Sequence, residues 1–222
     1  MGTFGGAQPI VTDGLVFAVD AANYQSYPGS GTTWSDLSGN GNNGTLVNGP
    51  TYDGANGGSL VFDGANDYIN TSFEGILGTS ARTFSIWFNP SILQNNNLLG
   101  YGTSANHEMW DILLYNGYVG VHLYNSQAEA KTEYFIGEWQ NIVFTYTHPT
   151  IYSYMNGEYK NSYTNNIINT GGLYVLSIAK GVYGSYFYFE GKIGPTHIYN
   201  RALTASEISQ NYNALKGRFG LS

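Results

Sequence analysis

The chain has no cysteine. Disulfides and thiolate metal centres are therefore excluded. Charge is scarce too. Asp, Glu, Lys and Arg make up 10% of the 222 residues, against roughly 25% in an ordinary soluble domain. The eight Lys and Arg residues are scattered, so the electrostatic footprint of a nucleic-acid binder is missing. A polybasic patch for a lipid surface is missing as well. No apolar run nears the ~18 residues of a membrane span, and membrane insertion is not expected. The first residues, "MGTFGGAQPIVTDG", lack a basic segment followed by an apolar one. They do not read as a signal peptide, and synthesis in the cytoplasm is the expectation.

What is present is glycine, tyrosine and amide. The chain has 30 Gly and 20 Tyr, is 42% hydrophobic, and carries a net charge of -7. Solubility must then rest on Asn, Ser, Thr and backbone groups. "SGNGNNGTL" (38–46) fits G-x-G-x-x-G through Gly39, Gly41 and Gly44, and Asp63 follows an apolar run further on. That fingerprint cradles phosphate only between a buried strand and a helix N-terminus. Here polar "SGTTWSDLS" precedes it, and "TLVNGPTYDGANGGS" follows it. Interior Gly costs a helix ~1 kcal/mol and Pro ~3, so neither a crossover helix nor a bound nucleotide is expected. The motif is turn chemistry.

Strand patterns dominate. "GLVFAVD", "SLVFDG" and "DYINTSF" are short apolar or alternating runs. "TFSIWFNP" puts Phe84, Ile86 and Phe88 on one face and Ser85, Trp87 and Asn89 on the other. "EWQNIVFTYT" opposes Ile142, Phe144 and Tyr146 to Val143 and Thr145. Asn116-Gly117 and Asn156-Gly157 sit between β-rich arms, as two-residue type I′ hairpins require. "GLYVLSIAK", "SYFYFEGKI" and "PTHIYN" read as three further strands. Many short strands with turns between them predict an all-β sandwich. One helix is expected, in "LTASEISQNYNALKG". Thr204 and Glu207 form a capping box. Ile208, Tyr212 and Leu215 share one face, and Gly217 is placed as the left-handed stop.

The ordered set "GLVFAVDAAN", "WSDLSGNGNNGTL", "SLVFDGANDYI", "TFSIWF", "EWQNIVFTY", "YMNGE" and "GKIGPTHIYNRALTASEI" resembles the laminin-G-like branch of the concanavalin A-like lectin/glucanase jelly rolls. The likeness runs from about Gly14 to Leu215. It implies an antiparallel two-sheet jelly-roll sandwich with one short C-terminal helix. The domain is placed at 14–216, with an N-terminal arm at 1–13 and a tail at 217–222. The chain is also similar to stand-alone copies among structural proteins of tailed bacteriophages. That likeness implies a non-catalytic decoration or adhesion protein on the virion surface, on capsid or tail. Its partners would be other virion proteins, its own copies in a multimer or lattice, and host-surface glycans. The alternatives are a carbohydrate-active enzyme, hydrolase or lyase, and a cellular carbohydrate-binding adhesion module. The family often carries an Asp-Glu pair before its closing aromatic strand. Gly194-Pro195 stand there instead, so no acidic role carries over. Pro195, lacking an N–H, is expected at a strand's first residue or edge.

Catalytic patterns are missing. Glycoside hydrolysis needs two carboxylates facing one bond. Glu129 with Glu133, and Glu108 with Asp111, are the nearest approaches, and both read as solvated charge. For a metal, "DGANDY" offers Asp63, Asn66 and Asp67 to a Ca²⁺ ion, with Asp36 and Asn40 as a second oxygen-rich turn. The competing reading is an Asx-turn, in which these side chains bond their own backbone. For glycans, Trp110, Tyr118, Tyr124, Tyr183 and Tyr186 are the aromatic stacking candidates. The competing reading is cross-strand or core packing. Trp34, Trp87 and Trp139 are assigned to packing. The two ends, each with a Phe between glycines, are expected to tether the protein to a particle.

Overall fold

β-Branched and aromatic residues at alternate positions give two antiparallel sheets that share one core. The computed structural model describes residues 8–124, 129–182 and 187–222. Among them the strands are β1 (Leu15–Val19), β2 (Thr33–Trp34), β3 (Gly44–Val47), β4 (Thr51–Asp53), β5 (Ser59–Asp63), β6 (Tyr68–Thr71), β7 (Arg82–Pro90) and β8 (Asn96–Gly102). They continue as β9 (Met109–Tyr115), β10 (Tyr118–His122), β11 (Glu129–Glu133), β12 (Gln140–Thr147), β13 (Thr150–Met155), β14 (Glu158–Thr164), β15 (Tyr174–Ile178) and β16 (Glu190–Tyr199). The first sheet runs β14-β13-β12-β7-β16-β5-β4, with β1 also on β16. The second runs β11-β10-β9-β8-β15-β6-β3-β2. This is the predicted jelly-roll sandwich.

The alternation expected in β7 and β12 is observed. Phe84, Ile86, Phe88, Ile142, Phe144 and Tyr146 enter the shared core, while Val143 turns to a second cluster outside the first sheet. Both hairpin turns have positive φ at each central residue: 51° and 83° at Asn116-Gly117, 53° and 80° at Asn156-Gly157. After Gly44, where β3 begins, the chain runs on as strand, and the next helical element is a 3-10 turn at Ala55–Gly57, so the glycine motif is a loop as expected.

Two expectations are corrected. "SYFYFEGKI" and "PTHIYN" contribute to one strand, β16, and Pro195 lies inside it. The strand tolerates this because its pairing with β7 shifts between Ile193 and Thr196. Its other neighbour changes there too, from β5 before the shift to β1 after it. A bulge that already interrupts the ladder needs no N–H from proline.

The second correction concerns the C-terminal end. The helix, α1 (Ala205–Leu215), has its capping box in place. It does not stop at Gly217. A 3-10 turn, Lys216–Phe219, continues it, and the left-handed residue is Gly220 at φ 71°. The turn packs Phe219 against Trp87, ring centroids 4.3 Å apart, and against Trp139 at 4.6 Å. Arg218 pairs with Asp20 at 2.7 Å and donates to the Asn56 and Gly58 carbonyls. Residues 216–219 are therefore fastened to the sandwich and do not hang from it as a tether. On the other side, the Val11 N–H donates to Asn211 Oδ1, and Tyr199 Oη donates to the Val11 carbonyl. Residues 1–7 lie outside the described residues. Phe219→Ala is expected to lower stability by about 3 kcal/mol, the lower end of the range for an aromatic ring removed from a nearly closed site. Urea unfolding checks it, and an unchanged midpoint would restore the loose tail.

Candidate functional site

The edge strands β11 and β14 approach each other at one side of the sandwich. In "EAKTE" Ala130 alone enters the core, while Lys131 and Glu133 stay in solvent. "EYKNSYT" is polar throughout, and β14 is exposed along nearly all its length. Asn161 Nδ2 bridges the two edges by donating to the Lys131 carbonyl at 3.2 Å. The exposed face of α1 forms the far wall. Between them lies a groove of about 880 Å³.

Aromatic surface and charge meet in this groove. Its lining includes Tyr118, Phe135 and Tyr212 beside Lys131, Lys160 and Lys216. The Lys131 ammonium lies 5.0 Å from the Tyr118 ring centroid, and Lys216 lies 5.7 Å from that of Tyr212. Lys160 pairs with Glu158 at 2.9 Å, which holds the Glu158 carboxyl below its ordinary range. Phe135 is 57% exposed, an uncovered ring at the rim. Three of the eight Lys and Arg residues of the chain thus converge on one surface.

The predicted glycan residues divide. Tyr118 is in the groove. Trp110 is corrected: it is fully buried, stacked on Phe84 at 5.8 Å, with the Arg82 guanidinium 5.1 Å from its ring. Its place in β9 turns it to the core, where no ligand from solvent can stack on it. Tyr124 is half-buried and is not part of the groove lining. Tyr183 and Tyr186 lie outside the described residues. The lysines were missed because they stand far apart in sequence, and the fold alone gathers them.

Of the carboxylates read as solvated, Glu133 is exposed, Glu108 and Glu129 are half-buried, and Asp111 departs furthest. Asp111 is 1% exposed rather than solvated. It accepts from Val182 N at 3.2 Å and faces the Asn97 amide. Gly100 makes this possible, since a Cβ there would overlap the Asp111 carboxylate. Burial pushes the Asp111 carboxyl up to about 8, so it carries a proton at neutral pH. In the "DGANDY" turn, Asp63 Oδ1 accepts from Ala65 N at 2.8 Å and Asn66 N at 3.3 Å, an Asx-turn. Asp67 Oδ2 accepts from Asp63 N at 3.3 Å. Burial and the neighbouring Asp63 charge push Asp67 up. Among the described residues, no group of three His, Cys, Asp or Glu side chains converges as a metal site.

The family model described as the concanavalin A-like lectin/glucanases superfamily matches residues 63–209, most of both sheets and the start of α1. The chain belongs to the concanavalin A-like lectin/glucanase superfamily. No curated protein sequence matches it significantly. Among solved structures, this superfamily member is similar to domain 4 of AbnA, a GH43 extracellular arabinanase from Geobacillus stearothermophilus, in complex with arabinotriose. Identity is 19%, over 89% of this chain and 98% of that one, with a TM-score of 0.71. It is also similar to the binding domain of Paraclostridial Mosquitocidal Protein 1, at 18% identity over 91% of this chain and 52% of that one, TM-score 0.68. A third is the binding domain of Botulinum Neurotoxin DC in complex with SialylT, at 11% identity over 92% and 52%, TM-score 0.68. The chain spans about half the length of these two binding domains. At such identities the likeness is one of fold.

Proposed function

We propose that this protein is a non-catalytic carbohydrate-binding module that takes an oligosaccharide in the groove between β11, β14 and α1. The observation that carries the reading is the groove's composition. Exposed and half-exposed rings of Phe135, Tyr118 and Tyr212 offer apolar faces to a pyranose or furanose. Asn156, Asn161, Asn213 and three lysines supply hydrogen bonds to hydroxyls around them. Binding sites of this kind combine an apolar wall with a few placed polar groups. Arabinotriose and SialylT in complexes of similar folds support the ligand class. The protein's resemblance to virion proteins supports a place on a particle surface, with host glycans as ligands. Finding the chain among proteins of purified particles tests that location, and its absence from them overturns it.

Binding itself is tested by calorimetric titration with arabino-oligosaccharides and sialylated oligosaccharides. Phe135→Ala and Lys131→Ala are each expected to weaken binding about tenfold, or ~1.4 kcal/mol. Both side chains are in solvent, so the melting temperature should hardly move. No cleavage products should accumulate. Full-strength binding by the double variant would remove the groove from the reading, and hydrolysis of a bound glycan would remove the non-catalytic half.

A further inference from the structure

The outer face of the first sheet carries a buried histidine. His197 stands on β16 opposite Ala18 of β1 and Ser85 of β7. Its neighbour Ile198 enters the shared core, so the alternation of the strand turns His197 outward. Tyr199, two residues on, meets α1 through Asn211 at 3.0 Å. Asp20 and Trp87, each two residues beyond a strand partner of His197, hold Arg218 and Phe219. His197 is therefore sealed between the row that the helix covers and the row that the 216–219 turn covers. It is 4% exposed, and its Nδ1 has no hydrogen-bond partner among the described residues.

A neutral ring is tolerated there and a charged one is not. Both nitrogens of a protonated imidazole are donors, so protonation would seal in a positive charge with an N–H that has no acceptor. The charged groups acting on the ring are Asp20, which favours its protonation, and Arg218, which opposes it. β1 and β7 set uncharged Ala18 and Ser85 beside it. On its own strand, Tyr199 stays a phenol, pushed up to about 12 by burial, and Lys192 is tied to Asp53 at 2.6 Å. α1 brings Tyr212, stacked on Trp87, and Glu207, paired with Arg201 at 2.6 Å. Asp20 is already claimed by Arg218 at 2.7 Å. After protonation two cations compete for one carboxylate inside a closed site. His197 is fixed in a strand laddered on both sides. Arg218 sits on a four-residue 3-10 turn. Among the described residues, side-chain contacts fasten that turn to the sheets and no backbone ladder does. The turn is the part that can give way.

We propose that the 216–219 turn is an acid-released latch: protonation of His197 displaces Arg218 from Asp20 and lifts Phe219 off Trp87 and Trp139. In the closed form, burial holds His197 down at about 4, against an ordinary 6.5. Opened to water, the ring regains its ordinary value. Below about pH 6.5 the open form therefore binds more protons than the closed one. Each unit of acid then favours opening about tenfold, until the closed form is itself protonated. The consequence for the groove rests on the function proposed above. Lys216 begins the turn and lines that groove, so an opened turn withdraws one of its cations and a bound glycan is released in acid.

The test is hydrogen exchange of the full chain, without ligand, across this pH range. The amides of Gly220 and Leu221 close the turn by donating to the Gly217 and Lys216 carbonyls. Corrected for intrinsic rates, their protection is expected to fall about tenfold per unit between about pH 6.5 and about pH 4.5. Amides of β12 should keep theirs. His197→Gln cannot take the proton, and its turn should show protection that is flat with pH. A flat profile in the parent protein overturns the latch. A parallel loss in β12 overturns it too, because the whole sandwich is then opening, and so does a response that survives in His197→Gln. If that variant fails to fold, the contrast between the turn and β12 in the parent decides alone. Glycan titration at the same pH values reads the groove separately: an opened turn with unchanged affinity rejects the role of Lys216 and leaves the latch standing.

Discussion

Replacing Arg82 by methionine is expected to lower stability by about 3–5 kcal/mol, the scale for removing one partner from a buried charged network. Arg82 is fully buried. Its Nε donates to the Ser80 carbonyl at 2.9 Å, and Nη2 donates to the Gly78 carbonyl at 2.7 Å. Nη1 reaches the Ile76 carbonyl, Tyr101 Oη and Thr170 Oγ1. The guanidinium plane also lies 5.1 Å from the Trp110 centroid and 5.3 Å from that of Tyr146. One side chain therefore satisfies the inner polar groups of the turn at 76–80 and holds that turn to Thr170. Methionine fills similar volume and donates nothing, so buried acceptors lose their partners at about 1–3 kcal/mol each. Some keep a second bond: Tyr101 Oη also donates to Ile76, and Thr170 N to Gly78. That overlap sets the upper end of the range. Lysine should recover only part of the loss, because three donors on a point charge do not reproduce a planar fork. Urea unfolding measures both variants. A methionine variant with the parent's midpoint would mean that the turn is held by something else.

Asp111→Asn is expected to stabilise the protein, and to do so more as pH rises. The folded state holds a proton on Asp111 up to about pH 8, against an ordinary value of 3.8. The unfolded chain releases that proton above about pH 4. Between these limits the folded state binds more protons, so parent stability falls with rising pH by about 1.4 kcal/mol per unit. Asparagine has no proton to lose, and its Oδ1 can still accept from Val182 N. The two proteins should be nearly equal near pH 4. The variant should be ahead by up to about 4 kcal/mol near pH 7. Denaturant titrations at several pH values read the gap. A gap that stays flat, or a variant weaker than the parent at neutral pH, would place the native carboxyl in its charged form.

The architecture was legible where polar or differently shaped residues alternate with aromatic and aliphatic ones along a strand, even where both faces are covered, as in β7 and β12. β7 and β12 alternate in sequence, and the Asn-Gly steps fix the β9–β10 and β13–β14 hairpins because few other residues accept φ near +50° in succession. β2, with two residues, and β11, "EAKTE", have no such signature. Their neighbours in the sheet define them. β16 was split in sequence because proline usually ends a strand, and the bulge that permits Pro195 depends on β5, β7 and β1 together. The groove was less legible still. Tyr118 stood out as an aromatic beside a turn, but Lys131, Lys160 and Lys216 come from three separate elements. Trp110 and Asp111 adjoin in sequence and face opposite ways, so composition could not tell core ring from sealed acid. The loop at 38–44 was recognised as a turn. Its crossing to the Val16 carbonyl, which accepts from Asn40 and Asn42, required the bulge in β1.

The position of β16 has a consequence for how the chain is made. β16 is the ladder partner of β7 along one edge and of both β5 and β1 along the other. It leaves the ribosome after all three. At about 5–20 residues per second, β7 waits several seconds or more for the strand that joins it to β5 and β1. During that interval a nascent chain presents three open strand edges, each able to pair with a neighbouring copy on the same messenger. A message broken before codon 190 would yield a product with its central seam missing. Such a product should collect in inclusion bodies, whereas loss of the far edge strand β14 should leave the seam closed.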